Sequence, residues 1–414
     1  MFGLETVRID RLGHRGDGIA ETEGGPVFVA RALPGERVEI ERSGERGRLE
    51  RVLEPSPDRV EAYCPAVGVC GGCATQELSQ DVALAWKRAL LIEAFAREGL
   101  DVGERVAPAV DAHGDGRRRA TFHARFDASG ALAVGFAEAR SHAIAPIAAC
   151  PLLAPGLARA LDAARKIATT VASRRKPLDL IATATATGLD IDVRGLGPPP
   201  EAMRLALVGL AERLDLARLS IHGDVVVERR KPTLFIGRAT VTPPPGGFLQ
   251  ATELGERTLA ELAAAAVGKA KRVADLFCGV GAFALRLAEI AEVFAADAER
   301  PAVAALAAAA NRAQGLKRVA TEPRDLFRRP LTPLELSRFD AVVFDPPRAG
   351  AEAQTRALAA SKVKTVVAVS CNAATLARDS AMLVAGGCRL VRVTPVDQFR
   401  HSAHVEAVAV FQRG

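Results

Sequence analysis

From about residue 246 onward, short apolar runs alternate with helical segments, and few folds accommodate such a pattern. Strands that alternate with helices build a doubly wound sheet of parallel strands. The pattern therefore predicts an α/β, Rossmann-like domain over residues 246–414. Ligands of such sheets bind beyond the carboxyl ends of the strands, so the residues that follow each strand are the first candidates for chemistry. The predicted strands are Arg272–Phe277, Val293–Ala296, Ala341–Phe344, Val363–Val369, Arg389–Pro395 and Ala407–Phe411.

The chain has 414 residues, more than one core usually holds, and its first 240 residues show two further patterns. Residues 1–54 alternate short β-type runs with glycine turns, which predicts a small five-stranded β-barrel of the oligonucleotide-binding (OB) type. Residues 55–240 combine strand-like runs with helical Glu201–Leu214, which predicts a central α+β domain. A helix over about residues 77–100 belongs to this part of the chain and is a candidate to pack on the C-terminal domain.

The net charge of +6 is concentrated in residues 151–414 and suits a polyanionic partner without proving one. Three consecutive arginines, Arg117–Arg119, are typical of a solvated face or of phosphate contacts. The first ten residues lack the pattern of a secretory signal, and no apolar run is long enough to span a membrane. Seven cysteines, an odd number, favour a reducing cytoplasm over a disulfide framework.

Three cysteines lie within ten residues, in Cys64–Cys73, and a fourth lies far downstream before a proline. Glycines between them let the backbone fold around an inorganic core, so the spacing predicts a metal site. Iron–sulfur clusters use this kind of close triple with a distant fourth thiolate, and four thiolates also suit zinc. The candidate ligands are Cys64, Cys70, Cys73 and Cys150.

The turn after the first strand of the C-terminal domain, Asp275–Gly281, has the glycines and the carboxylate of a nucleoside site. The sequence has no phosphate-binding GxxxxGK[ST] motif, and Leu285 stands where a third glycine would complete GxGxxG. Asp297 ends the second strand, where a ribose-binding carboxylate is usual. Asp325 follows a further strand, between those at Val293–Ala296 and Ala341–Phe344, about where an adenine amino group would be bound. The set fits S-adenosylmethionine, an adenosine derivative without phosphate.

Two residues next to later strands carry reactive side chains. Cys371 follows a buried strand directly and is placed to attack a ligand in the crevice, although a single cysteine is more often a packing residue. Glu406 immediately precedes the last strand, and its alternative role is that of an ordinary surface charge. The segment Asp345–Arg348, Asp-Pro-Pro-Arg, resembles the motif of amine methyltransferases but ends in arginine instead of an aromatic residue, which favours chemistry at the thiol.

Five motifs in this order resemble the RNA uracil-5 methyltransferases, and the resemblance spans nearly the whole chain. The barrel resembles the TRAM module of RNA-modifying enzymes, and together with the cysteines it resembles the cluster-containing branch that modifies 23S ribosomal RNA. The motifs are FLQ at Phe248–Gln250, DLFCGVGAF at Asp275–Phe283, FDPPRAG at Phe344–Gly350, VSCNAATLARD at Val369–Asp379 and HVEAVAVF at His404–Phe411. The chain departs from the family pattern at Ala282, Asp297 and Ala373.

The resemblance implies Cys371 as nucleophile, Glu406 as the base that removes a proton, and a four-iron–four-sulfur cluster on the four cysteines. It also implies that the methyl donor and the target base are surrounded by Gln250, Phe277, Asp297, Asp325 and Asp345. We further expect the Cys371 thiol to have a low pKa. The expected partner is RNA, most often 23S rRNA in this branch, and we expect a monomer without a membrane.

Three other functions remain open at this point. The first is methylation of a uridine in tRNA, because branches acting on tRNA share the same catalytic residues. The second is methylation of another base, such as cytosine, or of a small molecule. The third is a cluster-bearing RNA-binding protein without catalysis.

Overall fold

The computed structural model describes residues 4–127, 129–171 and 176–414, and its first 54 residues contain a six-stranded sheet. The strand order is β1-β5-β6-β4-β3-β2, so this module has one strand more than the five predicted; residues 1–3 of the predicted barrel lie outside the described residues. Alternate residues such as Val38 and Ile40 fill its core because successive strand side chains point to opposite faces. The strands are β1 (Leu4–Arg8), β2 (Arg11–Leu12), β3 (Gly18–Thr22), β4 (Gly25–Val29), β5 (Arg37–Ser43) and β6 (Arg46–Glu54).

The middle of the chain forms a second six-stranded sheet, in the order β13-β12-β11-β10-β8-β9. Two helices, α2 and α3, pack on one face of this sheet, where Phe122, Leu180 and Ile191 are fully buried. Its elements and those just before it are α1 (Gln80–Arg97), β7 (Val110–Asp111), β8 (Arg119–Phe126), β9 (Leu132–Gly135), α2 (Ala160–Val171), β10 (Leu178–Thr185), β11 (Gly188–Arg194), α3 (Glu201–Arg213), β12 (Arg218–Ile221) and β13 (Asp224–Glu228).

The C-terminal part alternates strands and helices, as the sequence predicts, and confirms the α/β Rossmann-like fold. A short hairpin precedes it. The elements are β14 (Leu234–Ile236), β15 (Ala239–Val241), α4 (Glu253–Val267), β16 (Arg272–Leu276), α5 (Ala284–Leu287), β17 (Glu292–Asp297), α6 (Arg300–Arg312), β18 (Val319–Pro323), α7 (Pro333–Leu336), β19 (Ala341–Phe344), α8 (Glu352–Ala359), β20 (Thr365–Ser370), α9 (Ala373–Ala385), β21 (Arg389–Asp397) and β22 (Glu406–Gln412).

The large sheet has eight strands in the order β18-β17-β16-β19-β20-β22-β21-β7. The five strands from β18 to β20 are parallel, and β22 is antiparallel to β20 and to β21. The prediction of a wholly parallel sheet was therefore wrong at this edge. The reversal matters because it turns the first residue of β22 toward the carboxyl end of β20, where ligands of such sheets bind.

Segments from earlier in the chain complete the catalytic domain. The strand β7 pairs with β21 at the edge of the large sheet, and α1 packs against α9 and β21 through Leu91 and Phe95. The hairpin β14–β15 contributes buried residues to the second core of the C-terminal domain, which does not include α1, although the hairpin precedes residue 246. Within the described residues, no helix is both long and apolar enough to cross a membrane.

Candidate active site

Four strands of the large sheet end at one edge and deliver the predicted site residues there. Asp275 is the next-to-last residue of β16 and Asp297 the last residue of β17, while Asp345 follows β19 and Cys371 follows β20. These strands are adjacent and parallel, so their carboxyl ends lie side by side. The structure thus brings together residues that are almost 100 positions apart in sequence.

The turn after β16 requires its glycines. Gly281 has a φ of 98°, and a Cβ atom there would collide with the side chain of Leu306. Gly279 has a φ of 51°, yet a Cβ atom there would meet nothing within 4 Å. Asp297 accepts a 2.9 Å hydrogen bond from the Gly279 N–H, so its carboxylate also holds the turn. The backbone is therefore shaped for close approach of a ligand at Gly279 and for packing at Gly281.

Two aromatic rings stand beside this turn. Phe277 adopts a left-handed φ of 63° just after β16, and its ring lies 5.4 Å from that of Phe327, which is 48% exposed. The carboxylate of Asp325 accepts hydrogen bonds from the backbone N–H groups of Phe327 and Arg328. Sequence reasoning missed Phe327, although an aromatic residue two positions after Asp325 was a usable signal.

Asp275 is completely buried; the Ala284 backbone N–H faces its carboxylate and lowers its pKa, but no described residue makes a close hydrogen bond to either oxygen. Burial raises its pKa well above the usual value, and the nearby Asp345 and Asp297 raise it further. A buried carboxyl group without partners is costly, so Asp275 fits a place where a ligand supplies a donor.

Cys371 and Glu406 occupy neighbouring positions on two paired strands. The antiparallel register of β20 and β22 pairs Ser370 with Ala407, so the next position on each strand brings Cys371 beside Glu406. Cys371 is half-buried, whereas Glu406 is only 4% exposed. Asn372 caps α9 by accepting hydrogen bonds from Ala374 and Thr375, which fixes the backbone immediately after the thiol.

Arg348 links the Asp-Pro-Pro-Arg segment to the thiol. Its guanidinium group hydrogen-bonds the Cys371 side chain and donates a 3.0 Å hydrogen bond to Nε2 of His404. The Arg348 carbonyl in turn accepts a 3.1 Å hydrogen bond from the Asn372 side chain. The arginine that stood out in the sequence therefore lies against the candidate nucleophile, where a positive charge favours the thiolate.

The expectation of a low pKa for Cys371 was wrong. Burial raises the pKa of Cys371 to about 11, and the carboxyl groups of Glu406 and Asp345 raise it as well, against the opposing effect of Arg348. Burial also raises the pKa of Glu406 to about 8 and that of Asp345 to about 7. Because the two carboxyl groups contribute to the shift at Cys371, protonation of either one favours the thiolate.

A chain of side-chain amides connects the carboxyl groups. Gln250 donates a 2.8 Å hydrogen bond to Asp345 and accepts a 2.7 Å hydrogen bond from Gln398. Gln398 also lies close enough to Glu406 to lower the pKa of that carboxyl group. Sequence reasoning did not identify Gln398, which lies in the turn after β21 and has no motif of its own.

The three consecutive arginines do not form a solvated face. Arg118 is 7% exposed, and it donates hydrogen bonds to the Gln250 carbonyl and to the Glu256 carboxylate. Arg117 and Arg119 are half-buried. Arg118 therefore ties the central sheet to the C-terminal domain next to Gln250, and the prediction of a solvated face is wrong for this residue.

All four predicted metal ligands line one cavity of about 220 Å³ in the central part of the chain. Gln76 holds the segment by accepting a hydrogen bond from the Cys64 N–H and by donating one to the Cys73 sulfur. Burial and the other three cysteines together raise the pKa of Cys73 to about 12. Among the described residues, no three cysteine, histidine or acidic side chains converge closely enough for a single metal ion.

The remaining two cysteines, Cys278 and Cys388, are 3% and 4% exposed and pack in the cores of the catalytic domain. The cysteine segment itself contacts the loop before Glu406. The Ala74 N–H donates a 2.7 Å hydrogen bond to the His401 carbonyl, and the Tyr63 hydroxyl lies 2.9 Å from Nε2 of His401.

Comparisons with known proteins agree with this architecture. The tRNA (Uracil-5-)-methyltransferase family matches residues 244–413, and the TRAM domain matches residues 5–41. An uncharacterized RNA methyltransferase of Brucella suis is 48% identical over 408 residues, which cover 99% of this chain and 98% of that protein. The 23S rRNA (uracil(1939)-C(5))-methyltransferase RlmD of Chromohalobacter salexigens is 36% identical over 98% of this chain and 88% of its own length.

Among solved structures, the tRNA (uracil-54, C5)-methyltransferase of Pyrococcus abyssi, in complex with S-adenosyl-L-homocysteine, has the same fold with a TM-score of 0.72. It is 22% identical to this chain, and the match covers 98% of this chain and 100% of the other. Fold, site and relatives together define an RNA-modifying enzyme of the methyltransferase class. The chain belongs to the RNA (uracil-5-)-methyltransferase family, and it carries an N-terminal TRAM domain.

Proposed function

We propose that this enzyme transfers a methyl group from S-adenosylmethionine to carbon 5 of a uridine in 23S rRNA, through a covalent bond to Cys371. The observation that carries the proposal is the adjacency of Cys371 and Glu406 on β20 and β22, at the same sheet edge as the glycine turn at Gly279 and Gly281. A nucleophile, a base and a nucleoside site beside one another are what this reaction needs.

The residues divide the reaction between them. The Cys371 sulfur adds to carbon 6 of the uracil, and the electrons of the 5,6 double bond move to oxygen 4 as an enolate. S-adenosylmethionine, when bound, supplies an electrophilic methyl group, and its carbon–sulfur bond breaks as carbon 5 attacks. Glu406 then removes the proton from carbon 5, the double bond re-forms, and the Cys371 thiolate leaves.

The surroundings of Cys371 support its role as nucleophile. The Arg348 guanidinium hydrogen-bonds the sulfur, and the N-terminus of α9 begins two residues after it, so both favour negative charge on sulfur. The thiol nevertheless has a raised pKa, which ties formation of the thiolate to proton transfer and to the charges of the neighbouring carboxyl groups.

Several residues around the turn after β16 are proposed to bind S-adenosylmethionine. Gly279 leaves open space, Asp275 has a buried carboxylate to which no described residue makes a close hydrogen bond, and the rings of Phe277 and Phe327 offer faces on which an adenine can stack. Asp297 and Asp325 are proposed to contact the adenosine as well. Both carboxylates also accept backbone hydrogen bonds, so they would hold the loops that surround the ligand.

An exposed aromatic residue supports a nucleic-acid substrate. Phe248 is 69% exposed and lies two residues before Gln250, which reaches the carboxyl groups of the site. A uridine in folded RNA must leave its stack to reach Cys371, at a cost of a few kcal/mol, and stacking on an exposed ring offsets part of that cost. The named relative RlmD supports 23S rRNA as the substrate.

Product analysis tests the proposal directly. The purified enzyme, S-adenosylmethionine and unmodified 23S rRNA should yield 5-methyluridine in digested RNA by mass spectrometry. Unmodified tRNA and 16S rRNA serve as controls and should remain unmethylated. Methylcytidine as the product, methylation of tRNA alone, or absence of any methylated nucleoside would each contradict the proposal.

We also propose a [4Fe–4S] cluster held by Cys64, Cys70, Cys73 and Cys150. The proposal is supported by the four cysteines lining one cavity, since four thiolates are the donor set of such clusters. The cluster would supply a rigid anionic core, and the Gln76 amide would hydrogen-bond one of its thiolates. Zinc is the alternative.

Protein purified without air should be brown and should contain iron and acid-labile sulfide in equal amounts. Cys150→Ser should lose both, whereas Cys388→Ser, a control for a buried thiol outside the cavity, should retain them. A colourless protein that contains zinc would refute the cluster. A monomeric state and a cytoplasmic location remain predictions from the sequence.

A further inference from the structure

Lys87 is completely buried in the helix α1, although lysine is among the residues least often found inside a protein. The buried face of α1 repeats every four residues through Ala83, Lys87 and Leu91, and Lys87 is its only charged member among the described residues. A buried ammonium group persists only where it is paired and hydrogen-bonded. Lys87 lies well outside residues 244–413, the part of the chain that matches the methyltransferase family.

The partners of Lys87 lie in the turn after β21, next to the active site. Its Nζ donates a 2.6 Å hydrogen bond to Oδ1 of Asp397 and a 3.0 Å hydrogen bond to the Phe399 carbonyl. The same Asp397 oxygen accepts a 2.9 Å hydrogen bond from the Phe399 N–H. Lys87 therefore holds both ends of a three-residue turn that has Gln398 at its centre.

Gln398 is completely buried and contacts both parts of the reaction centre. Its amide donates a 2.7 Å hydrogen bond to Gln250. Gln398 comes two residues after Val396, which pairs with Glu406 across β21 and β22, and its side chain lies close enough to lower the pKa of that carboxyl group. The side-chain oxygen Oε1 of Gln398 accepts a 3.3 Å hydrogen bond from the Thr252 N–H. A displacement of the turn would therefore move Gln398 relative to Glu406 and relative to Gln250 at the same time.

We propose that Lys87 is a positioning residue for the reaction: its ion pair with Asp397 fixes the turn that orients Gln398 toward Glu406 and Gln250. The inference rests on the proposed function, since it assigns Lys87 to the step in which Glu406 removes the proton from carbon 5. Lys87 does not contact the reacting atoms. Its effect passes through the backbone of residues 397–399 and through the side chain of Gln398.

The test compares Lys87→Met with the double variant Lys87→Met/Asp397→Asn. Lys87→Met leaves the buried Asp397 carboxylate without its cation and should lower the melting temperature. The double variant removes that charge, so the melting temperature should recover. The hydrogen bond from the Lys87 ammonium group to the Phe399 carbonyl, however, is still missing. If Lys87 only stabilises the fold, activity should recover together with the melting temperature.

The measured quantity is the release of tritium from in vitro transcribed 23S rRNA that contains [5-³H]uridine, since each turnover expels that hydrogen. In the double variant, kcat for tritium release should fall roughly 10- to 100-fold, as expected for a displaced catalytic group, with KM for RNA within about twofold of wild type. The covalent protein–RNA adduct should accumulate on denaturing gels, because its breakdown awaits proton removal.

Leu161→Ala is the matched control, because Leu161 is 5% exposed in the core of the central domain and lies outside the catalytic core. It should lower the melting temperature and leave kcat per folded molecule unchanged. Wild-type kcat in the double variant, or a rise in KM alone, would overturn the role of Lys87. Absence of tritium release by the wild-type enzyme would instead refute the proposed function.

Discussion

Cys371 and Glu406 stand side by side at the point where β20 ends and the antiparallel β22 begins. This arrangement depends on the reversal of chain direction at one edge of the sheet, because a parallel strand would present its first residue at the opposite end. Burial is the main cause of the raised pKa of the Cys371 thiol, and the neighbouring Glu406 carboxyl group adds to it. Five predictions concern this pair and the glycine turn after β16.

Cys371→Ala should lower the rate of methylation by roughly 10³-fold or more, as losses of covalent nucleophiles do. It should also form no adduct with RNA in which 5-fluorouridine replaces uridine, because fluorine cannot be removed as a proton is and normally traps the covalent intermediate. Adduct formation is measured on denaturing gels. Cys388→Ala is the control, because Cys388 is buried away from the site, and it should keep wild-type activity. Methylation by Cys371→Ala at the wild-type rate would exclude a covalent mechanism through this residue.

Glu406→Gln should stop the reaction after methyl transfer, because glutamine cannot accept the proton from carbon 5. Ordinary 23S rRNA should then accumulate as a covalent adduct that contains the transferred methyl group, which mass spectrometry of the digested adduct detects. The wild-type enzyme under the same conditions provides the control and should release methylated RNA. Normal product release by Glu406→Gln would remove Glu406 from its assigned role.

The melting temperature of Glu406→Gln should exceed that of wild type by a margin that grows between pH 5 and pH 8. Burial raises the pKa of Glu406 to about 8, so the folded protein holds this proton more tightly than the unfolded chain. The wild-type protein therefore loses stability as the pH rises from the unfolded value through the folded value, and the variant avoids that loss. At pH 8 the free energy of unfolding of Glu406→Gln should exceed that of wild type by on the order of 1 to 3 kcal/mol, as measured by calorimetry.

Glu352→Gln offers a comparison, because Glu352 is exposed and its pKa is lowered by Arg356. Its melting temperature relative to wild type should show no gain at higher pH. A constant difference between Glu406→Gln and wild type across this range would mean that the carboxyl group is not protonated on folding.

The value of kcat/KM should rise with pH between about 6 and 9. Glu406 acts as a base only as a carboxylate, and Cys371 reacts only as a thiolate, and both groups have raised pKa values in the free enzyme. Initial rates with 23S rRNA, measured across this range at constant ionic strength, provide the check. A rate that is highest at pH 6 would show that neither group limits the reaction as a base.

Two glycine substitutions should affect different properties, one the stability of the fold and the other the binding of S-adenosylmethionine. Gly281→Ala should destabilise the fold, because its Cβ atom would collide with Leu306 and its φ of 98° disfavours alanine. Gly279→Ala should cost only about 1 kcal/mol of stability, yet it should weaken binding of S-adenosylmethionine at least about tenfold, because its methyl group enters the open space at the turn. Thermal melts and titration calorimetry measure both. Equal binding by Gly279→Ala and wild type would place the donor elsewhere.

The sequence was sufficient to predict the parts of the site that follow from strand order. Asp275, Asp297, Asp345 and Cys371 all stand at or after apolar runs, and the rule that parallel strands end at one edge was enough to group them. The length of the apolar runs could not reveal the direction of β22, since alternation and hydrophobicity are the same for both directions.

The supporting residues could not be predicted in the same way. Gln398 lies in a turn without a motif, and Arg118 reads as one of three surface arginines until its partner Glu256 is known. Lys87 did leave a signal, since it interrupts an apolar face at four-residue spacing. Its partner Asp397 is 310 positions away, and local patterns contain no information on contacts at that distance.

The dependence of β21 on segments from early in the chain has a consequence for biogenesis. At translation speeds of 5 to 20 residues per second, Lys87 emerges roughly 15 to 60 s before Asp397, and the strand β7 waits for its neighbour almost as long. The apolar face of α1 is therefore without β21, one of the elements that cover it, for that interval of synthesis. A polypeptide that ends before β21 lacks Gln398 and Glu406, so premature termination leaves the reaction centre incomplete.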